Sequence, residues 1–428
     1  MYESVLRELI IDNKSGVYGL GLPAEPYSKG KVRYLRISDI DDEGCVVDTD
    51  TKSVTADNIE EYILNENDLV VARTGNSTGR TYMYDVNDGI MAYAGFLIKY
   101  VFDDEKINPR YMKYFCLSDY YKAQIEGFMG STRGNMSAND FKTIKVIYPD
   151  RNSQDRMVYL LELIDKKIKN NKKINDNLAQ YLNDLYVHWF LQYDFPDKDE
   201  KPYKSSGGKL LWNDELKRSI PDNWKVAKLG DLFDSERGIS YSTHNISSGK
   251  GNPMINLASF APGGGAYKPT GLKHFDGTYA SSKVLHPYDL VMCNTQQTAI
   301  DFDKDIIGRA ILIPDIFDED ILSSHHVNVI RPYNMFLKEY LLFLFNSDFF
   351  HKYISGHTNG TNILGLVFSG VEDYKTEIPP DYVLERFSNT VLKVEAIKSS
   401  ILRENSDLNA IRQFLMPMLM SGQAIIAD

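Results

Sequence analysis

Two loop segments in the first half of the chain carry side chains that can recognise the edges of DNA bases. Arginine can form two hydrogen bonds to guanine in the major groove, and asparagine or glutamine can form two to adenine. The candidates in this half are Arg73, Asn76, Ser77, Thr78 and Arg80, then Arg133 and Asn135. Glycine, asparagine, serine and threonine also favour turns for local reasons, so an ordinary loop role stays open for each candidate.

The second half of the chain holds a matching set of polar loop residues. Its candidates are Asn294, Thr295, Gln296 and Gln297, then Arg309, and finally His357, Asn359, Thr361 and Asn362. Matched places in the two halves carry different residue types. If both sets contact DNA, the two sequences that they read should therefore differ.

These candidates lie on a plan that the chain repeats. The paired segments are ILNENDLVVARTG (63–75) with KVLHPYDLVMCNTQ (283–296), INPRYMKYFCLSDYY (107–121) with NMFLKEYLLFLFNSDFF (334–350), and GSTRGNMSANDF (130–141) with GHTNGTNILGLVFSG (356–370). The separation between matched positions stays nearly constant along the chain. It is 221 residues between Asp68 and Asp289 and 230 residues between Leu178 and Leu408. Two copies of one globular unit predict a pseudo-symmetric molecule, and that layout suits a double helix better than a small substrate.

A long heptad-patterned helix follows each copy. Its apolar and asparagine positions recur along one face, which is the pattern of a coiled coil. The seam residues are Ile164, Ile168, Asn171, Asn175, Leu178 and Leu182 in the first helix, and Val391, Val394, Ile401, Asn405 and Leu408 in the second. Asparagines at a seam lower stability and fix the alignment of the helices. Two such helices in one chain most simply pair with each other, and an antiparallel pair returns the chain to a globular unit.

The dimensions of these helices also suit DNA. A helix of ~38 residues is roughly 57 Å long at ~1.5 Å per residue. That length can hold two readers at least one DNA turn of ~34–36 Å apart. Proline removes a hydrogen bond and crowds the preceding turn, so Pro417 should bend or end the second helix, and the two helices should differ in length.

Composition limits the class of protein. The chain has 428 residues, enough for two domains that each bury a core. A net charge of −11 argues against DNA binding through the whole surface but leaves room for a local basic face. No apolar run reaches the ~18 residues that span a bilayer, and the chain does not start like a signal peptide, so we expect a cytoplasmic protein with no membrane contact. Its three cysteines never form a CxxC spacing, which predicts no metal site.

Sequence motifs of catalysis are incomplete. Asn108-Pro109 is followed by Arg110, so the NPPY-like signature of amino-methyltransferases is missing. Gly207-Gly208-Lys209 lacks the following Ser or Thr and the leading glycine of a P-loop. Glu215-Leu216-Lys217 has the spacing of a nuclease tripeptide, but the aspartate that should precede it comes later. His325 and His326 should point to opposite faces of a strand, which disfavours chelation of one metal. We therefore expect no catalytic residue, no bound metal and no cofactor on this chain.

The predicted fold class is α+β, with two pseudo-symmetric α/β domains that have β-rich cores. Each domain is followed by a long α-helix, and the helices pair as an antiparallel coiled coil. The predicted segments are a first domain at 1–150, a spacer helix at 151–192, an exposed linker at 193–220, a second domain at 221–381 and a second spacer helix at 382–428. Residues 2–11 look helical, and one helical run is expected near 109–125.

One long phrase in the middle of the chain carries a family resemblance. The segment KPYKSSGGKLLWNDELKRSIPDNW (201–224) closely resembles the central conserved region of Type I restriction-modification specificity subunits. The resemblance extends over nearly the whole chain and takes in the DLVVARTG run, the GST-type loop and both helices. The first domain departs from the family because it lacks an IPDNW-like opening, which leaves the fold of the first ~30 residues open.

The resemblance implies a specific division of labour. Subunits of this family have no catalysis of their own, and each of two target-recognition domains reads half of a bipartite DNA sequence while the spacer helices separate them. Two methyltransferase subunits dock on the helices and use S-adenosylmethionine to methylate adenines. Two translocase and nuclease subunits, which use ATP and Mg²⁺, are optional further partners.

Two other classes of function stay open from the residues alone. One is a self-contained DNA methyltransferase or nuclease with degenerate motifs. The other is a coiled-coil scaffold that binds only protein. The incomplete catalytic motifs disfavour the enzyme, and the duplicated units with arginine- and asparagine-bearing loops disfavour the scaffold.

Overall fold

The computed structural model of the chain describes residues 1–47, 50–129, 135–247, 249–297, 304–424 and 426. The chain forms two compact units. Unit 1 comprises Met1–Lys169 and Asp407–Asp428, and unit 2 comprises Asn170–Ser406. The borders between the units therefore fall inside the two long helices rather than at the ends of the predicted domains.

Unit 1 is a set of short strands with three short helices. Its strands are β1 (Tyr2–Val5), β2 (Val17–Tyr18), β3 (Glu25–Pro26), β4 (Arg33–Leu35), β5 (Lys52–Ser53), β6 (Leu69–Ala72), β7 (Thr81–Met83), β8 (Met91–Tyr93), β9 (Leu97–Tyr100) and β10 (Lys145–Tyr148). Its short helices are α1 (Pro109–Phe115), α2 (Asp119–Met129) and α3 (Ala138–Lys142). The long helix α4 (Arg151–Tyr186) begins in this unit, and a π-helical turn, Val187–Leu191, follows it in unit 2.

Unit 2 has the same kinds of element. Its strands are β11 (Leu210–Asn213), β12 (Arg218–Pro221), β13 (Lys225–Lys228), β14 (Phe233–Arg237), β15 (Ile246–Ser247), β16 (Asn252–Ile255), β17 (Lys273–Phe275), β18 (Leu290–Cys293), β19 (Thr295–Gln297), β20 (Ala310–Leu312), β21 (Leu322–Ser323), β22 (Val327–Pro332), β23 (Thr358–Asn359), β24 (Ile363–Leu366) and β25 (Lys375–Ile378). Its helices are α5 (Leu337–Asn346), α6 (Asp348–Ile354), α7 (Phe368–Asp373) and the first part of α8 (Asp381–Met420).

The sheet topology of unit 1 is repeated in unit 2. The order β2-β9-β6-β7 corresponds to β14-β22-β18-β20, and β3-β5-β4-β8 corresponds to β15-β17-β16-β21. In the second of these sheets, β4 pairs with β8 in parallel, and β16 pairs with β21 in parallel. Within the described residues, unit 2 also has a β11-β12 hairpin and a sheet of order β19-β24-β23. The predicted α+β fold with two pseudo-symmetric domains is confirmed.

The central strand of each unit is preceded by the same type of turn. Asn67 before β6 and Tyr288 before β18 both have positive φ, at 68° and 66°. The carboxylate of the next residue accepts a hydrogen bond from a backbone N–H three residues earlier, at 2.9 Å for Asp68 and 3.0 Å for Asp289. This turn positions each strand, and the strand side chains, LVVA in one unit and LVMC in the other, are then fully buried.

The long helices run antiparallel in each unit. In unit 1, Arg412 of α8 donates to Asp165 of α4 at 3.0 Å. In unit 2, the Asn171 amide donates to Asn405 at 2.9 Å, and the Trp189 and Phe387 rings lie 5.8 Å apart. The antiparallel pairing is thus confirmed, and each predicted seam residue is buried or half-buried.

Pro417 does not end the second helix. The helix α8 continues through it to Met420 and has 40 residues, against 36 for α4. A proline this near the end of a helix interrupts only the last turn, where few intrahelical hydrogen bonds remain to be lost. Pro417 was expected to bend or end the helix near its close, and the helix ends three residues after it, at Met420.

Three local predictions were wrong. Residues 2–11 form strand β1 and a short 3₁₀ turn instead of a helix, because β1 pairs with the distant strand β10. The expected single run at 109–125 is two helices, and the Ser118 hydroxyl accepts a hydrogen bond from Tyr121 N at the start of the second. The segment 193–220 is not simply an exposed linker, because Phe195 and Ile220 are buried in the core of unit 2.

Candidate DNA-recognition surfaces

Three elements of unit 1 meet at one end of its central sheet. Arg73 follows β6, and its backbone N–H donates to the carbonyl of Phe96, just before β9, at 3.0 Å. The Arg73 guanidinium lies over the ring of Tyr18, the last residue of β2, 5.0 Å from the ring centroid. Phe96 is 58% exposed and Tyr18 is 40% exposed. We call these three residues the first strand-end surface.

The two predicted loops of unit 1 come together beside this surface. Met136 N donates to Arg73 O at 2.8 Å, and the Thr74 hydroxyl donates to the Asn135 side chain. The segments 73–80 and 135–141, which are distant in sequence, therefore share one side of the unit. Arg133, the remaining candidate of the second loop, lies outside the described residues.

The other candidate residues of unit 1 differ in solvent exposure and in hydrogen bonding. Asn76 is exposed, whereas Ser77 and Thr78 are half-buried. The Arg80 Nε pairs with an Asp42 carboxylate oxygen at 2.6 Å. By contrast, the buried Arg73 Nε has no hydrogen-bond partner among the described residues. The ring of Tyr18 thus positions the Arg73 guanidinium.

Unit 2 repeats the backbone frame of this surface with other side chains. Asn294 N donates to His326 O at 3.0 Å, and Leu366 N donates to Asn294 O at 2.8 Å. These are the bonds that Arg73 makes with Phe96 and Met136. Arg237 ends β14 as Tyr18 ends β2, since it pairs with Asn328 of β22 as Tyr18 pairs with Ile98 of β9. We call Arg237, Asn294 and His326 the second strand-end surface.

Asn294, one of the predicted base readers, is buried and engaged inside unit 2. It is 2% exposed, and its amide donates to the carbonyl of His325 at 3.2 Å and to the Asn328 side chain. Its side-chain oxygen accepts a hydrogen bond from the neighbouring Thr295 hydroxyl at 2.7 Å. Because both ends of the amide are engaged inside the unit, a base contact would require breaking these bonds.

Gln296 and Arg309, two further candidates, are also buried. Gln296 is 4% exposed, donates to Asp305 at 2.6 Å and accepts from Ile306 N at 2.7 Å. Arg309 is 5% exposed and donates to the carbonyl of Asn346. The Gln296 side chain joins β19 to residues 305–307, and the Arg309 side chain joins the residue before β20 to Asn346. Residue type suggested base reading, but burial assigns these two side chains to the scaffold.

The remaining candidates of unit 2 lie on or beside the β23-β24 hairpin. Asn359, Thr361 and Asn362 are exposed at its turn, where Gly360 has a φ of 114°. His357, just before β23, is half-buried, and its Nδ1 lies 3.1 Å from Tyr353 O. The backbone of Gln297 is part of β19, which pairs with β24.

A row of aromatic and basic side chains in unit 2 adjoins the second strand-end surface. The Lys273 Nζ lies 5.9 Å from the Tyr241 ring centroid, the Tyr241 ring lies 5.5 Å from that of His325, and the His325 and His326 rings are 3.9 Å apart. The two histidines occupy a turn between β21 and β22, so the prediction that they point to opposite faces of a strand was wrong. Burial, together with the charges of His325, Lys273 and Arg237, lowers the pKa of His326 below its ordinary value.

Sequence reasoning missed Tyr18, Phe96 and Arg237. A signal for two of them was present, because Gly19 and Gly238 both sit where a Cβ would collide with backbone carbonyls of the neighbouring strand. Aligning these glycines places Tyr18 opposite Arg237. The role of Phe96 could not be read locally, since it depends on the backbone bond to Arg73.

Two negative findings apply to the part of the chain that the structure describes. Its residues contain no group of three or more His, Cys, Asp or Glu side chains placed to hold a metal ion. Its helices include none with the length and hydropathy needed to cross a membrane.

Exposed apolar side chains lie along both long helices. In unit 1 these are Tyr159 and Leu163 of α4 and Ile411 and Phe414 of α8. In unit 2 they are Ile174 and Tyr181 of α4 and Ile397 of α8. Large apolar groups at the surface of a helix pair are typical of a face that another protein covers.

Comparisons with known proteins agree with one another. Residues 22–180 match the family model described as Type I restriction modification DNA specificity domain. The chain is 24% identical over 315 residues to the Type I restriction enzyme MjaIX specificity subunit of Methanocaldococcus jannaschii, covering 73% of this chain and 67% of that protein. It is 19% identical to the MjaVIII specificity subunit of the same organism, covering 85% and 80%. The crystal structure of a Type I restriction-modification S subunit from M. genitalium superposes with a TM-score of 0.56 at 14% identity, covering 98% of this chain and 95% of that one.

Proposed function

We propose that this chain, whose residues 22–180 match the Type I restriction modification DNA specificity domain, is a specificity subunit that selects the DNA sequence for a Type I complex. Unit 1 reads one half of a bipartite target and unit 2 reads the other. The target is asymmetric, since the two strand-end surfaces carry different side chains.

One observation carries this proposal most directly. The backbone frame of the strand-end surface is the same in both units, while its exposed side chains differ. A duplicated enzyme site would be expected to keep its reactive groups at matched positions. A pair of sequence readers keeps the frame and varies the contacting residues, because base readout depends on side-chain donors and acceptors.

The chemistry of the complex belongs to other subunits in this proposal. Two methyltransferase subunits bind S-adenosylmethionine and methylate adenines in the two half-sites. Two translocase and nuclease subunits, with ATP and Mg²⁺, complete a restriction enzyme. The chain itself contributes sequence selection and docking surfaces and is not catalytic.

The exposed apolar side chains of α4 and α8 support docking of the methyltransferase subunits. Tyr159 and Phe414 are both 67% exposed. Covering such side chains releases water from apolar surface, which favours stable association. Tyr159→Arg or Phe414→Arg should therefore weaken capture of a methyltransferase subunit and leave the DNA-reading surfaces intact.

The proposal is tested by co-expressing the chain with methyltransferase subunits and mapping modified adenines by single-molecule sequencing. A two-part motif with a fixed gap is the expected result. Replacing Arg73 should then change or abolish one half of the motif only. Unpatterned or absent methylation by an active, bound methyltransferase would show that the chain does not select sequence and would favour a protein-binding scaffold.

A further inference from the structure

The matched position that differs most in chemistry between the two strand-end surfaces holds Phe96 in unit 1 and His326 in unit 2. Each backbone carbonyl accepts a hydrogen bond of 3.0 Å from the residue that follows the central strand. The two side chains therefore start from equivalent backbone positions. One is purely apolar, and the other carries a positive charge when it is protonated.

The surroundings of His326 supply further positive charge. Arg237 ends the adjacent strand β14 and is exposed, and Lys273 begins β17 beside Tyr241. The His325 ring, from the same turn, is tilted against that of His326, with 3.9 Å between the ring centroids, and Tyr241 contacts the ring of His325. The charged groups that act on His326 are Arg237, Lys273 and His325, and all three are basic. An anionic ligand would be favoured at such a place.

On the basis of the proposed function, we propose that His326 is a specificity-determining residue of the second half-site and contacts DNA in its protonated form. Recognition by unit 2 then strengthens as pH falls, whereas recognition by unit 1, which has Phe96 at this position, does not change through this residue. A protonated imidazole donates from both nitrogens, which suits the N7 and O6 acceptors of guanine in the major groove.

The direction of the pH dependence follows from linkage. In the free chain, burial and the neighbouring basic groups hold the pKa of His326 below its ordinary value. An acceptor on DNA favours the charged form and raises this pKa in the complex. Binding therefore takes up a proton, and affinity rises as pH falls from the bound pKa towards the free one. Above both pKa values the histidine is neutral and the gain is absent.

The experiment uses the full chain with its methyltransferase subunits and a DNA duplex that carries the mapped motif. Affinity is measured by competition between about pH 5 and about pH 8, at constant ionic strength. Competitor duplexes are scrambled in one half-site or in the other. We expect discrimination in favour of the second half-site to increase by about tenfold on acidification, because one bound proton changes affinity at most tenfold per pH unit.

Matched variants assign this effect to one residue. His326→Phe copies the residue of unit 1 and should remove the pH dependence, and His326→Gln should do the same while keeping a polar side chain. Phe96→His should introduce a pH dependence at the first half-site. His286→Phe is the control, because His286 is an exposed histidine of unit 2 that lies just before β18, whereas His326 lies in the turn between β21 and β22.

The outcomes separate this inference from the proposed function. A bipartite motif that persists with an unchanged pH profile in His326→Phe and His326→Gln would overturn the role of His326 and leave the proposed function standing. A pH response shared by both half-sites and kept in both variants would also overturn it. Absence of any sequence motif in the unaltered complex would overturn the proposed function itself.

Discussion

Units 1 and 2 differ in the side chains they expose far more than in the backbone that carries them. The bonds from Arg73 N to Phe96 O and from Asn294 N to His326 O have the same length, 3.0 Å. These bonds use only the backbone, so they survive a change of side chain at either end. The comparison indicates that the exposed side chains at two matched positions, Tyr18 with Arg237 and Phe96 with His326, can change at little cost in stability, because these side chains do not build the frame.

The position of the arginine side chain at each strand-end surface illustrates this variation between the units. In unit 1 an arginine, Arg73, follows the central strand β6, and an aromatic residue, Tyr18, ends the edge strand β2. In unit 2 the arginine, Arg237, ends the edge strand β14, and Asn294 follows the central strand β18. A guanidinium is therefore present at both surfaces but on different elements. We infer that Arg237 takes in unit 2 the part that Arg73 takes in unit 1.

The largest expected effect comes from breaking the shared frame. Gly79 and Gly308 have φ values of +85° and +70°, and an added Cβ would lie 2.5 Å from Ile125 Cγ2 and 2.7 Å from Ile354 Cγ2, respectively. Alanine at either place combines backbone strain with a steric clash. We expect Gly79→Ala and Gly308→Ala each to lower the free energy of unfolding by about 3 kcal/mol, as measured by denaturant titration.

A control variant separates the clash from the strain. Gly75 has a φ of +70° and nothing within 4 Å of an added Cβ. Gly75→Ala should therefore cost only about 1 kcal/mol, through strain alone. If Gly79→Ala cost no more than Gly75→Ala, the packing of Gly79 against Ile125 would not be part of the frame.

The next prediction concerns the stability contributed by the ion pairs of Asp165 in unit 1. The matched residue of unit 2 does not form the equivalent pairs. Asp165 accepts from Lys113 at 2.6 Å and from Arg412 at 3.0 Å, whereas the residue 230 positions later, Glu395, pairs with its helical neighbour Lys398. Burial opposes ionisation of Asp165, but Lys113 and Arg412 outweigh it and lower its pKa. We expect Asp165→Asn to destabilise the chain by about 2 kcal/mol at neutral pH, less than a fully buried pair would lose.

The pH dependence of this loss has a definite sign. A carboxylate whose folded pKa is lowered contributes its full stabilisation above the unfolded pKa and loses it as pH falls through the folded pKa. The difference between Asp165→Asn and the unaltered chain should therefore shrink below about pH 4. Asp104→Asn is the control, because the Asp104 to Arg151 pair is exposed on both sides and should change stability by less than about 0.5 kcal/mol. A loss in Asp165→Asn that did not depend on pH would indicate a packing effect.

The third prediction concerns recognition instead of folding. Arg73→Ala should weaken binding to the first half-site by about 1 to 3 kcal/mol, the usual value of one bidentate base contact. Asn294→Ala, at the matched position, should lower the stability of unit 2 without changing discrimination at either half-site, because Asn294 is buried in the scaffold. Competition with scrambled half-sites measures both effects. Equal weakening of all DNA sequences by Arg73→Ala would instead identify a phosphate contact.

The features that could be predicted from the sequence were those set by local pattern. Heptad spacing predicted both helices, and the repeated segments predicted the duplication. The prediction of a helix at residues 2–11 was wrong, because β1 pairs with β10, which lies far along the chain. This pairing outweighed the local helical spacing.

The candidate site was predicted less completely, since burial depends on contacts that residue type does not encode. Gln296 resembles a base reader, but pairing of β19 with β24 places it inside unit 2. Conversely, Phe96 looks like an ordinary strand residue, and only the contact of its carbonyl with Arg73 brings it to the strand-end surface. Both errors concern pairing between segments that are distant in sequence.

The smallest expected effect distinguishes two arginines at matched backbone positions. Ala72 N donates to Arg80 O at 2.8 Å, and Cys293 N donates to Arg309 O at 2.9 Å. Arg309 is buried, whereas Arg80 forms a partly exposed pair with Asp42, at 2.6 Å. Exposed pairs contribute little, so Arg80→Ala and Asp42→Ala should each change the free energy of unfolding by less than about 0.5 kcal/mol.

The DNA affinity of these two variants tests whether Arg80 reads bases. The Asp42 carboxylate offsets the charge of Arg80, so we expect Arg80→Ala to weaken binding by no more than about threefold, equally on all sequences and less at high salt. Asp42→Ala should strengthen binding slightly for the same electrostatic reason. A loss of about tenfold or more at the first half-site alone would instead mean that Arg80 leaves Asp42 to contact a base. Arg80 would then join Arg73 as a reader of unit 1, at a position where unit 2 has only a scaffold residue.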